Sequence, residues 1–296
     1  MTLRDIALAA FTSMVWGLGF VATRFGLEGF TAAQLTAVRF LIAALPVMFV
    51  AWPAAPGARP AVPWQLVVLI GLTLFAGQFL LLFLAFRAGM PPGLASLTQQ
   101  SHVFLTVLLA AVFLGERPTV RQGVGMALAA GGLVLVAVTV GADLPLVALA
   151  LALPGALSWA VGNLLLKRAQ GVSMFDLVVW CSLVPPGPML VLSAVLGEAL
   201  LPDAALHASW AALGGALYLG AAATSVYAIW GRLLGRYPAA AVAPFALLSP
   251  LTGVVASALV FGERFTGVRC AGMALILAGL AVVVISLGRR AGGVRL

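Results

Sequence analysis

Leu114-Gly115-Glu116-Arg117-Pro118-Thr119 returns 147 positions later as Phe261-Gly262-Glu263-Arg264-Phe265-Thr266, and this echo decides how the chain is built. The same offset lays Gly125-Met126-Ala127-Leu128 on Gly272-Met273-Ala274-Leu275, and Pro91 on Pro238. Nearer the N-terminus an offset of 143 brings Trp16 onto Trp159, Gly19 onto Gly162 and Arg24 onto Lys167. Ala and Leu matches between apolar segments arise by chance. The shared Glu-Arg, Trp and Pro positions do not, and a fixed-period self-similarity is the mark of a duplicated unit. The chain divides into related halves, 1–141 and 142–296.

Between the matching motifs the sequence is built for lipid. Apolar residues make up 63% and charged residues 8%, with a mean hydropathy of +1.16, whereas soluble domains carry roughly 25% charged residues. Apolar runs lie near Asp5 to Thr23, Ala33 to Ala51, Trp64 to Phe86, Gly93 to Leu114, Val120 to Val140, Pro145 to Leu166, Met174 to Leu196, His207 to Leu233, Ala239 to Phe261 and Thr266 to Leu287. About 20 apolar residues cross a bilayer, and without water each span must close its own backbone hydrogen bonds as a helix. The expectation is therefore an all-α integral membrane protein of ten transmembrane helices, five per half. Five is odd, so the second half enters the membrane from the opposite side, and the halves form inverted repeats. The connections carry turn signals such as Glu28-Gly29, the Pro53 to Pro63 stretch, Gly89-Met90-Pro91-Pro92 and Arg236-Tyr237-Pro238, and none is long enough for a soluble domain. The first run has a counterpart in the second half and no cleavage site leads from it into a soluble region, which argues against a signal peptide.

With a cytoplasmic N-terminus, 11 Lys and Arg residues fall on the inner side and four (Arg24, Arg87, Arg264, Arg269) on the outer, with Arg39 inside the second run. This bias predicts both termini in the cytoplasm of a bacterial inner-membrane protein. The net charge of +8 is spread singly or in pairs between apolar runs. It fits orientation in a membrane, and no nucleic-acid partner is expected. Cys181 and Cys270 have no spacing partner and no metal-ligand cluster appears. With no Walker A pattern, ATP hydrolysis is not expected to drive the protein. No cofactor or metal is implied, and no nucleophile or acid–base constellation suggests an enzyme.

Polar side chains are costly in a lipid-embedded helix, so those present mark a cavity or a helix contact. The fourth run carries Thr98, Gln99, Gln100, Ser101 and His102. Gln99 and His102 share a stripe with Ala95 and Thr106. That stripe reads as substrate binding, with interhelical hydrogen bonding as the other reading. His102 is also the one candidate for proton coupling. Trp16 with Phe20 at i+4, and its repeat mate Trp159 with Asn163 at i+4, would present aromatic faces and an amide at mid-membrane; an interfacial belt is the alternative. Gln78 aligns with Ser225, near Tyr218, Thr224 and Tyr227, and Ser249 aligns with His102, so all of these join the candidate lining. Arg39 lies about two turns into its run and is expected to snorkel to the interface. Glu116 and Glu263 fall at helix ends, where Thr119 and Thr266 are placed to cap the next helix, and a structural role is expected. Small residues such as Gly125, Gly131 and Gly132 pack helices within one bundle or between two, so a monomer is compatible with the sequence.

Two five-helix halves, each beginning with a Trp-bearing helix and each carrying Gly-Glu-Arg between its fourth and fifth helices, resemble the EamA-type branch of the drug/metabolite transporter superfamily over essentially the whole chain. The two Trp positions and the aromatic content narrow the similarity to bacterial aromatic amino acid exporters. The resemblance implies a cavity lined by helices 1, 3, 4, 6, 8 and 9 and export of amino acids or related metabolites. The absence of a carboxylate at mid-membrane disfavours antiport of cationic drugs. Export of aromatic and other large neutral amino acids by alternating access is the expectation. An exporter of another small polar metabolite or drug-like compound, and a passive channel, are the alternatives.

Overall fold

The computed structural model describes residues 1–50, 62–139, 144–169, 174–237 and 239–293. Arg59 and most of the Pro53 to Pro63 stretch, the boundary between 141 and 142, Asp143, Pro238 and Arg295 lie outside the described residues, as do the side chains of Asp176 and Thr224. The helices are α1 (Leu3–Gly26), α2 (Ala32–Val50), α3 (Trp64–Arg87), α4 (Pro92–Leu114), α5 (Val120–Ala137), α6 (Leu146–Leu166), α7 (Met174–Ser182 and Pro186–Val195), α8 (Trp210–Arg236), α9 (Ala239–Phe261) and α10 (Gly267–Gly293), with a short helix Leu201–His207 ahead of α8. Among the described residues, eight helices are long and apolar enough to cross a membrane; α2 and α10 contribute shorter apolar stretches, Ala32–Leu45 and Gly267–Val283. Many large apolar side chains point outward, among them Val120, Val195, Leu206 and Leu259, as expected where hydrocarbon replaces water.

The Gly-Glu-Arg motif is a helix junction. Gly115 and Gly262 take φ of 66° and 65° as they end α4 and α9, a left-handed cap that a side chain would strain. Thr119 then caps α5 through a reciprocal pair with Gln122, the Gln122 N–H donating to Thr119 Oγ1 at 3.2 Å. At the repeat-related junction Thr266 Oγ1 accepts from the Arg269 N–H at 3.3 Å. Arg269 turns its guanidinium back onto Thr139 beyond the end of α5.

The two glutamates then differ. Glu116 makes an exposed ion pair with Lys167, whereas Glu263 is half-buried and accepts from the Gly93 N–H at 3.2 Å, joining the α9 end to the α4 start. Burial pushes the Glu263 carboxyl above the usual carboxylate range, against the opposing pull of Ser257 and the Gly93 N–H. An acid whose value is raised on folding stabilises when protonated and loses that contribution as pH rises through the raised value. We expect the melting temperature of the wild type, relative to Glu263→Gln, to fall between acidic and neutral pH in detergent. Parallel pH profiles for the two proteins would remove this role.

Helix pairings have counterparts across the molecule. α1 packs on α8 as α6 packs on α3; α1 meets α9 as α6 meets α4; α2 meets α8 as α7 meets α3. The pairs α5–α10, α4–α9 and α2–α7 are their own counterparts. In α5–α10, Gly125 faces Gly279 and Gly132 faces Gly272, so the two helices run antiparallel with backbones in contact.

Candidate functional site

Local irregularities shape the middle of the bundle. In α3 a π-helical segment, Gly71–Gly77, precedes Gln78, and its wider turn resets which residues face inward. In α4 the α-helix stops at Thr98 and resumes at Ser101; across the gap the His102 N–H bonds Gln99 O at 3.1 Å and the Val103 N–H bonds Gln100 O at 3.0 Å, a tighter three-residue spacing. The equivalent stretch of α9, Ala243–Leu247, is a 3₁₀ helix. Interrupted helices at matching positions of two halves expose backbone polar groups where a cavity can use them.

These breaks border a cavity of about 340 Å³, at the lower end of the roughly 300–1,000 Å³ range of small-molecule sites. From α1, Trp16 and Phe20 line it; from α3, Gln78; from α4, Gln99 and His102; from α6, Trp159 and Asn163; from α8, Tyr227; from α9, Ser249. Tyr218 and Ser225 lie outside the lining. Tyr218 instead donates its hydroxyl to Val15 O at 2.8 Å, fastening α8 to α1, and the exposed Ser225 donates to Ala221 O on its own helix.

The aromatic walls are ordered by contact. The Trp159 indole lies flat on the His102 imidazole, centroids 3.8 Å apart and planes 3° from parallel. His102 Nδ1 meets Gln99 O at 2.7 Å, which fixes the ring orientation. Asn163 donates to Thr106 Oγ1 at 3.1 Å, and Thr106 in turn donates to His102 O at 2.6 Å, so α6 holds the lower part of the α4 stripe. Trp16 sits against Tyr227 at 5.4 Å and Trp230 at 5.1 Å. Gln99 donates from Nε2 to Ala152 O at 3.3 Å on α6 while its buried Oε1 has no hydrogen-bond partner.

Arg39 corrects the sequence reading. It does not snorkel: it is 8% exposed, lines the cavity, and holds its guanidinium 3.7 Å over the Phe79 ring. Sequence position gave its depth but not its azimuth, and α2 turns Arg39 inward toward α3 and α8. Gln100, from the polar group of the fourth run, joins the lining, and so do Trp230, Phe75 and Phe79, which were not anticipated. No pattern beyond their aromatic character marked these three. Among the described lining residues there is no carboxylate, so the site offers aromatic faces, amides, one imidazole and one guanidinium.

The sequence profile of the EamA-like transporter family matches residues 4–138 and 146–285. A protein of Escherichia coli K12 described as a probable amino-acid metabolite efflux pump is 38% identical over 97% of both chains. A protein of Streptantibioticus cattleyicolor described as a probable terminal-alkyne amino-acid exporter is 30% identical over 94% of this chain and 93% of its own. A solved crystal structure superposes with a TM-score of 0.64 at 21% identity, covering 98% of this chain and 99% of the other, a likeness of fold.

Proposed function

Because the chain belongs to the EamA-like transporter family, we propose that it exports amino acids, aromatic and other large neutral ones foremost, by alternating access without ATP hydrolysis. It is a transporter and not an enzyme. The proposal seats it in the bacterial inner membrane with both termini cytoplasmic. Its ten helices form two inverted five-helix repeats, 1–141 and 142–296, around the central cavity, an arrangement compatible with a monomer. The antiparallel α5–α10 contact and the paired helix packings support the inversion, and relatives described as amino-acid exporters support the substrate class.

One observation carries the site: a cavity bounded by Trp16, Phe20 and a Trp159–His102 stack, with Gln78, Gln99, Asn163, Tyr227 and Ser249 as the polar complement. Flat aromatic faces accept a planar or branched apolar side chain, and amides satisfy a polar backbone without fixing a net charge. Inverted repeats place such a site at the midplane and expose it alternately by rocking one half against the other.

Uptake of labelled phenylalanine, tryptophan, leucine and threonine into proteoliposomes tests the reading. Saturable uptake, accelerated by unlabelled amino acid on the far side, is expected. Absence of uptake of all four sinks the substrate assignment, and flux that neither saturates nor accelerates identifies a channel. His102 serves mainly as a hydrogen-bonded stacking partner, so His102→Ala is expected to lower uptake several-fold while leaving its pH profile in place. Substrate-driven proton movement present in the wild type and absent in His102→Ala would instead make His102 the coupling residue.

A further inference from the structure

We propose that Arg39 and Gln99 form a zwitterion clamp in which the Arg39 guanidinium takes the substrate carboxylate and Gln99 Oε1 takes its ammonium. The proposal rests on the amino acid reading above.

Two buried polar atoms of the cavity residues have no hydrogen-bond partner, and they are of opposite kind. Arg39 Nε is a charged donor, and Gln99 Oε1 is an acceptor. Both side chains are more than nine-tenths buried. A buried polar group without a partner is destabilising, and a buried charge without a counter-ion more so. Among the described residues the ion pairs are Lys167–Glu116 and Arg236–Asp5, and neither involves Arg39. The faces of Phe79 and Phe40, 3.7 and 5.4 Å from the guanidinium carbon, offset part of the cost by cation–π attraction. They supply no hydrogen-bond acceptor.

The Arg39 backbone is held in place for this. α8 passes so close to α2 at Gly220 that a Cβ there would lie 3.1 Å from Arg39 O and 2.4 Å from Ile42 Cβ. The side chain therefore projects from a fixed point, and its aromatic support fixes the guanidinium at the cavity wall. A guanidinium keeps its charge when buried and offers a planar fork of donors that matches a carboxylate. Gln99 is committed through Nε2 to Ala152 O on α6, which leaves Oε1 as acceptor for an ammonium. An α-amino acid brings a carboxylate for the guanidinium and an ammonium donor for the amide oxygen at once, and as a zwitterion it adds no net charge of its own to the site.

The test uses the full chain in detergent and in proteoliposomes, with tryptophan fluorescence titrated by phenylalanine, phenylalaninamide and 3-phenylpropionate. The wild type is expected to bind phenylalanine about tenfold more tightly than the amide. Arg39→Gln is expected to weaken phenylalanine and 3-phenylpropionate about tenfold and leave the amide unchanged, which also shows that the variant is folded; Arg39→Lys falls between. Gln99→Leu is expected to weaken phenylalanine and the amide but not 3-phenylpropionate. Equal loss of acid and amide in Arg39→Gln, or no acid preference in the wild type, overturns the clamp while amino acid uptake keeps the transport reading alive. Arg39-dependent binding of 3-phenylpropionate with no amino acid binding or uptake overturns the amino acid reading and, with it, the ammonium half of the clamp. Binding of none of the three probes overturns both.

Discussion

Gly132→Leu is expected to yield no monodisperse protein, whereas Leu at the adjacent Gly131 is expected to leave folding intact. A Cβ at Gly132 would lie 2.5 Å from Gly272 O and 2.8 Å from Ile276 N, and the reciprocal Cβ at Gly272 would lie 2.7 Å from Gly132 O. These neighbours are backbone atoms of a helix, so no rotamer change makes room. Overpacking where side chains can shift costs about 1–3 kcal/mol; here the helix axes themselves must separate. In lipid that separation is hard to offset, because helix association depends on close contact and not on withdrawing apolar surface from water. Separation would undo the contact at Gly125 and Gly279 as well. Gly131 has open space around its Cβ position, so it supplies the control for helix propensity. Size-exclusion profiles and melting temperatures in mild detergent decide it. A monodisperse Gly132→Leu melting with the wild type would mean that α5 and α10 do not pack in this way.

What the sequence revealed and what it hid follow from one distinction. A helical run and a repeated motif are one-dimensional signals, so the junctions at Glu116 and Glu263 and the lipid-exposed runs were legible. The choice of face is not one-dimensional. Tyr218 and Ser225 are seven residues apart and share a stripe, yet the crossing of α8 over α1 takes the first into a helix contact and leaves the second exposed. Arg39 was visible as a cation inside an apolar run, but whether its stem runs outward to a headgroup or inward to Phe79 depends on how α2 is turned by α3 and α8. The breaks in α4 and α9 had a partial signal. Pro244 stands at the α9 break, but Gln99 and Gln100 have ordinary helical preferences, so only the packed bundle reveals that α4 is interrupted there.

Trp159→Ala is expected to lower the transport efficiency for aromatic amino acids by roughly ten- to a hundredfold, about 1.4–2.8 kcal/mol, with a smaller loss for threonine. The indole serves two surfaces. It stacks on His102 at 3.8 Å with the rings nearly parallel, and it lines the cavity beside Asn163. Removing it takes away a large apolar face for the substrate, and it frees an imidazole whose other described anchor is the Nδ1 contact to Gln99 O. Because Gln99 and His102 adjoin the interruption of α4, loss of the stack loosens the polar stripe as well. Aromatic pairs contribute about 0.5–1.5 kcal/mol beyond the area they bury, so Trp159→Phe, which keeps a ring but not its breadth, is expected to recover part of the activity. The side-chain dependence is the informative readout. A purely structural role would lower uptake of every amino acid by the same factor, whereas a stacking role costs phenylalanine and tryptophan more than threonine. Equal losses across the panel in Trp159→Ala, with no recovery in Trp159→Phe, would remove the indole from substrate recognition and leave it as packing for His102.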